Sequence, residues 1–151
     1  MKIEFLLIAD AAQVADGKLF VLGGAWSVHR SVNFPSPIQF AVCLSVLVPW
    51  QEAGTRHPVT LTIADEAGVP IIPPLNGQFE VGKPAEMAED TTQRSLLAIN
   101  LNIAIPRAGR YAVLATAGPS KAETQFDAIF VGKKVSLSSK DNPREDAERG
   151  N

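Results

Sequence analysis

The stretch that decides the fold is IAIPRAGRYAVLATAGPSKAETQFDAIFV, residues 103–131. It holds a strand end, a Pro-x-x-Gly corner at Pro106 and Gly109, a tyrosine that opens a second strand at Tyr111, a short polar turn and a returning strand. Tyr111, Val113 and Ala115 fall on one side of the first of these strands, and Phe126, Ala128 and Phe130 on one side of the next. Successive side chains of a strand point to opposite faces, so this alternation predicts that each set lies against a core. Pro106 lacks a donor for a strand ladder and Gly109 tolerates a positive φ, which lets the chain change sheets between them. A tyrosine just past such a corner can bury its ring and return its hydroxyl to nearby backbone, as in the tyrosine corner of immunoglobulin-like sandwiches. Pro106, Gly109 and Tyr111 are therefore the expected fold-determining corner.

Upstream of the corner, Leu97, Ile99, Leu101, Ile103 and Ile105 alternate against Ala98, Asn100 and Asn102. The cleanest alternation lies earlier: Ile38, Phe40, Val42, Leu44, Val46 and Val48 share one face, with Gln39, Ala41, Cys43, Ser45 and Leu47 on the other. This predicts a central strand, ended by Pro49. Val59, Leu61 and Ile63 form another strand after a polar loop at residues 51–58, and a loop that short predicts antiparallel neighbours on its two sides. Near the N-terminus, Ile3, Phe5, Leu7 and Ala9 alternate while Leu6 and Ile8 are also apolar, which predicts a strand covered on both faces over part of its length. Asp16-Gly17 between two apolar arms signals a type I′ hairpin, since that turn needs positive φ at both central residues. Residues 26–33 mix Trp26 and Val28 with His29, Arg30 and Ser31 and read as an edge. Residues 69–75 carry three prolines and read as irregular or edge. Residues 78–81 follow as a short strand with Phe79 and Val81 inward, and the polar connection 83–93 reads as mobile or as a single helical turn. The fold class expected is all-β, an antiparallel, immunoglobulin-like β-sandwich of about eight or nine strands, with a closed β-barrel as the alternative.

A chain of 151 residues accommodates one domain with a substantial core. That domain is expected over residues 1–131. Residues 132–151 carry five basic and four acidic side chains and only Val135 and Leu137 as sizeable apolar groups, so they are expected to be a polar, disordered tail. The net charge of −2 supplies no basic surplus for phosphate contacts, and nucleic acid is not an expected partner. Cys43 is the only cysteine, so no internal disulfide can form, and its apolar strand predicts an inert core thiol. The apolar run near the N-terminus is interrupted by Glu4 and Asp10 and is too short for a secretory signal or a membrane span. A cytoplasmic location without membrane contact is the resulting expectation.

Chemistry-bearing patterns are sparse. His29 and His57 flank the central strand without metal-ligand spacing, so no metal or cofactor is expected. Ser27, Ser31 and Ser45 lie outside any Gly-x-Ser-x-Gly elbow, and the adjacent acids Asp65-Glu66 and Glu89-Asp90 read as solvated loop residues. No catalytic residue is assigned, and an enzyme is not expected. Trp26 and Trp50 sit at strand ends beside polar residues, and with His29, Arg30 and Arg56 they form the candidate contact surface. The competing reading is that each indole covers an end of the core.

ADAAQVADGKLFVLGGAW at residues 9–26, Phe34-Pro35, VPW at 48–50 and PRAGRY at 106–111 together resemble a family of short bacterial proteins of unknown function, best represented in actinobacteria. The resemblance covers about residues 3–131. It implies an all-β domain and carries no catalytic residues. The functional expectation is a non-enzymatic binding module engaging a protein through loops or an edge strand, with self-association as a homodimer through such an edge. The alternative is a small-ligand or carbohydrate binder using an exposed tryptophan, and a hydrolase ranks last.

Overall fold

Period-two patterning of short apolar runs produces nine strands and one turn of 3-10 helix, Trp50–Glu52, in the computed structural model, which describes residues 1–132. The strands are β1 (Lys2–Ala15), β2 (Lys18–Gly24), β3 (Val28–Ser31), β4 (Ser36–Pro49), β5 (His57–Asp65), β6 (Leu75–Phe79), β7 (Thr92–Ile105), β8 (Gly109–Ala117) and β9 (Ser120–Phe130). They form a four-stranded sheet in the order β2-β1-β4-β7 and a five-stranded sheet in the order β3-β9-β8-β5-β6. The two sheets pack face to face, and the barrel alternative does not apply. Every pairing is antiparallel except β3 with β9, which is parallel. With β1, β4 and β7 in one layer and β9, β8, β5 and β6 in the other, the order is that of immunoglobulin strands A-B-E and G-F-C-C′, with β2 and β3 inserted after the first. The disordered-tail expectation falls on residues 133–151, which lie outside the described residues.

The corner behaves as its residues demand. β7 belongs to the first sheet and β8 to the second, and the chain crosses between them at Pro106–Gly109. Gly109 adopts φ +149°, a region that side chains rarely enter. The Tyr111 ring is fully buried and its hydroxyl donates to the Arg107 carbonyl at 2.7 Å. Arg107 in turn donates from Nη2 to Asp65 Oδ2 at 2.7 Å, which ties the corner to the end of β5. Asp65 also accepts from the Ala67 and Val69 amides, each at 3.0 Å. The Val69 amide, with Arg107 and the Ala67 amide behind it, holds the Asp65 carboxyl below its ordinary range.

The core lies between the sheets. Phe40, Val42, Leu44, Val46 and Val48 of β4 face Ile63 of β5, Tyr111 and Val113 of β8 and Phe126 of β9, all essentially without exposure to solvent. β4 is flanked by β1 and β7, as a central strand should be. Ile8 and Ala9 of β1 are both buried, so that strand is covered on two faces at this point. The second cover is the β1–β2 hairpin. Asp16 and Gly17 take φ of 50° and 69°, the type I′ signature, and Ala15 pairs with Lys18. β1 pairs with β4 only as far as Ala9. Beyond it Ala12 and Leu19 of the hairpin pack with Ala41, Cys43 and Ala98 on the outer face of the first sheet. Asn100 Nδ2 donates to the Ala12 carbonyl at 3.1 Å and fastens the arm to β7. Cys43 is wholly buried beneath it, and desolvation raises its thiol above the usual cysteine range.

Three expectations are corrected, and one of two alternatives falls. The loop after β4 leads into β5 in the opposite sheet, so the two are not neighbours, because a loop of that length also spans the roughly 10 Å between packed sheets. The strand expected at 78–81 runs over Leu75–Phe79 and ends before Val81. Of the two alternatives for the connection 83–93, mobile or a single helical turn, the helical turn is not formed: Met87 N–H donates to the Pro84 carbonyl and Thr91 N–H to the Ala88 carbonyl in two separate turns. Phe130 follows the alternation of Phe126 and Ala128 yet is 62% exposed, since it lies past the rim where the opposing sheet no longer covers it.

On the outer face, one ionic contact spans three strands. Arg94 of β7 donates two hydrogen bonds to Glu4 of β1, at 2.6 and 2.7 Å, and the Ser45 hydroxyl of β4 donates to Glu4 Oε2 at 2.8 Å. Arg94 first, and Ser45 second, lower the Glu4 carboxyl to about 2. A carboxyl depressed in the folded state stabilises the fold above its unfolded value, and that contribution disappears as pH falls through the folded value. Stability should therefore decline between the ordinary glutamate value of 4.5 and about 2. A set of denaturation curves over that interval should show a shallower decline for Glu4→Gln than for the parent protein.

Candidate functional site

The expected contact residues do not form one surface. Trp26 and His29 lie together at the end of the sandwich where β2 passes to β3. Trp50 and Arg56 lie past the far end of β4, about 35 Å away at the usual rise per strand residue.

Trp26 is half-buried and covers the core. Its ring stands edge-on to Phe40 and Phe126, with centroids at 5.9 and 5.4 Å. The indole Nε1 is buried and has no hydrogen-bond partner. Beside it a cleft of about 460 Å³ is lined by Asp10, Gly23, Trp26, His29 and Gln39, among others. Gly23, at φ +62°, leaves room for the Asp10 carboxylate, which occupies the space a side chain at that position would need. His29 Nε2 lies 2.8 Å from the hydroxyl of buried Ser36, and desolvation lowers the imidazole below its ordinary value. Arg30, the next residue along β3, is exposed and projects to the opposite face of its strand.

Asp10, His29 and Ser36 invite comparison with an acid-base-nucleophile set. A nucleophilic hydroxyl must reach a substrate carbonyl, whereas Ser36 is 3% exposed. The arrangement holds the start of β4 against β3, and nothing in its geometry delivers a substrate to the hydroxyl. Among the described residues no three His, Cys, Asp or Glu side chains are grouped to hold a metal ion.

At the other end Trp50 is half-buried with Lys83 Nζ 5.4 Å from its ring centroid. Arg56 is largely exposed and meets Glu80 at 3.9 Å, a separation at which a surface ion pair contributes little. His57 packs on Phe79 and its Nε2 lies 2.6 Å from the Glu52 carbonyl. Trp26 thus covers the rim of the core, packed edge-on against its rings, whereas Trp50 is half-buried with Lys83 over its ring.

The feature that sequence reading did not single out is β2. Phe20, Val21 and Leu22 are 57%, 41% and 71% exposed on a strand at the edge of its sheet. Large apolar side chains of this exposure are what calls for explanation on a folded surface. The signal was present as the uninterrupted run LFVL, residues 19–22, apolar on both faces of an edge strand. The other edges are blunted. β3 has four residues and carries His29 and Arg30; β6 has five and follows Pro73-Pro74; β7 carries Arg94, Asn100 and Asn102.

An immunoglobulin-like β-sandwich with one apolar edge left open among the described residues is the class of protein these features define. The chain belongs to the family of unknown function DUF6941, whose pattern matches residues 4–125. The match takes in the segments at 9–26, 34–35, 48–50 and 106–111 that carry the resemblance. No curated protein matches the chain. Among the described residues no helix is long and apolar enough to cross a membrane.

Proposed function

We propose that this protein is a non-enzymatic interaction module of the cytoplasm that binds a protein through the free edge and outer face of β2. The observation that carries this reading is the exposure of Phe20 and Leu22 on an edge strand without charge, proline or bulge between residues 19 and 22. A strand edge offers unpaired N–H and C=O groups to an incoming strand, and apolar side chains beside it add burial to those hydrogen bonds. The hairpin arm is held rigidly, by Asn100 and by the small residues beneath it, so binding need not order it. The single buried thiol and the mildly acidic surface, with nine basic and twelve acidic residues up to position 132, support a cytoplasmic protein partner over nucleic acid.

The test is a photo-reactive side chain at position 20 or 22, with position 121 on β9 as control, in the cells that make the protein. The expected result is one identified protein adduct from the β2 positions, absent from the control. The purified adduct protein should bind the parent chain and should bind Val21→Pro at least about tenfold more weakly, since proline removes an edge donor. No β2-specific adduct would overturn the reading.

A further inference from the structure

The register of the hairpin specifies which groups β2 leaves free. A two-residue turn makes Ala15 and Lys18 a hydrogen-bonded pair, and bonded and non-bonded pairs then alternate along the ladder. Phe20, opposite Gln13, and Leu22, opposite Ala11, therefore spend their N–H and C=O groups on β1. Leu19 and Val21 direct theirs away from it. The Ala12 carbonyl checks this phase independently: Ala12 pairs with Val21 at a non-bonded position, so its carbonyl must point away from β2, and it is found accepting from Asn100 on that other side.

From this phase we infer that β2 pairs with β2 of a second copy, antiparallel and about a two-fold axis through Phe20. The inference rests on the reading of β2 as the interaction edge. In that register Leu19 of one copy meets Val21 of the other, and the reverse, so all four outward-pointing residues are satisfied by four hydrogen bonds. The strand is thus complementary to itself without a shift. Phe20 meets its own mate at a non-bonded position, where Cα atoms approach to about 4.5 Å and side chains are closest. Lys18, the only charge on the strand, meets Leu22; the two lysines stand about 13 Å apart, beyond the screening length of about 8 Å. The β1–β2 hairpins of the two copies then form one four-stranded ribbon.

The exposed apolar side chains are divided between the two faces of the hairpin, Phe20 and Leu22 on one and Val14 and Val21 on the other, so two copies share far less than the ~800 Å² per partner of a standard stable interface. The dimer should accordingly be weak, with a dissociation constant in the micromolar range of about 1–100 μM.

The experiment is sedimentation velocity of the full chain from about 1 to 300 μM, spanning that range, with two variants. The parent protein should pass from monomer to dimer over this interval. Val21→Pro, which removes an outward N–H that the hairpin does not use, should raise the dissociation constant by about tenfold or more. Unchanged tryptophan fluorescence would show that its fold is intact. Phe20→Cys should form a disulfide-linked dimer under mild oxidation, because the two-fold brings its Cα atoms within the roughly 4.4–6.8 Å that a disulfide spans. Leu22→Cys, four ladder positions from its mate, should not. A protein that stays monomeric throughout overturns the second copy as partner. If a different protein is then cross-linked at position 20, the interaction edge survives and only self-pairing falls; without that adduct both fall. A dimer linked through Leu22→Cys but not Phe20→Cys, or one insensitive to Val21→Pro, overturns the register.

Discussion

Tyr111→Ala is expected to lower the free energy of unfolding by about 3–5 kcal/mol, the range for deleting a large buried aromatic side chain. The ring is 1% exposed and stacks on Phe126 with centroids 5.5 Å apart and planes inclined by 20°. Tyr111→Phe keeps the ring and deletes only the donor to the Arg107 carbonyl, so it should cost about 1 kcal/mol. The contrast between the two variants separates packing from the hydrogen bond of the corner. Equilibrium denaturation in urea, with the midpoint compared at constant slope, is the measurement. Equal losses would mean that the hydroxyl, and not the ring, is what secures the crossing from β7 to β8. Because small domains are stable by only about 5–15 kcal/mol, Tyr111→Ala also approaches the point at which the protein ceases to fold.

Phe126→Ala should be comparably damaging, again by about 3–5 kcal/mol. Phe126 touches every other member of an aromatic cluster: Trp26 at 5.4 Å, Phe40 at 6.2 Å and Tyr111 at 5.5 Å between centroids. Removing it takes away the ring against which the Trp26 edge rests and admits water to the indole. A red shift of tryptophan emission in the folded state should accompany the loss of stability, whereas Phe126→Leu should lose less than half as much and leave emission near its parent position. Stacked residues are not independent, so the double variant with Tyr111→Ala should depart from additivity by about 0.5–3 kcal/mol. Additive losses and unshifted emission would show that the cluster is not a single packing unit.

Much of the sandwich was legible because its cues are local. Six alternating residues from Ile38 to Val48 specify a buried face whatever lies opposite, and Asp16-Gly17 permits few turns besides the one found. Pro106, Gly109 and Tyr111 together encode a corner, and their spacing suffices to place it. Partnership was another matter. Alternation says which face of a strand is buried but not which strand lies beside it, so the crossing from β4 to β5 and the parallel pairing of β3 with β9 had no signature in either strand alone. Ala41, Cys43 and Ala98 are small residues on the second face of their strands, and nothing in them says that what covers that face is the β1–β2 hairpin. The candidate site was the least legible part. Trp26 and His29 did come together, three residues apart on either side of the start of β3, while Trp50 and Arg56 belong to the far end. Asp10 and Gln39 joined the cleft, and Ser36 the histidine beside it, through contacts between segments well separated in sequence. Phe20 and Leu22 read as part of an apolar hairpin arm, and nothing in their own chemistry reveals that no strand of the described residues lies on the other side of it.

The pairing of β3 with β9 carries a consequence in time. Residue 31 leaves the ribosome some ninety residues before residue 120, an interval of about 5–20 seconds at usual rates of synthesis. A hairpin closes in about 1–10 microseconds, so β1 and β2 have time to pair many times over during that wait. The nascent chain thus shows its stickiest ribbon first and completes its last sheet edge at the end, and any companion that docks early meets a half-made molecule.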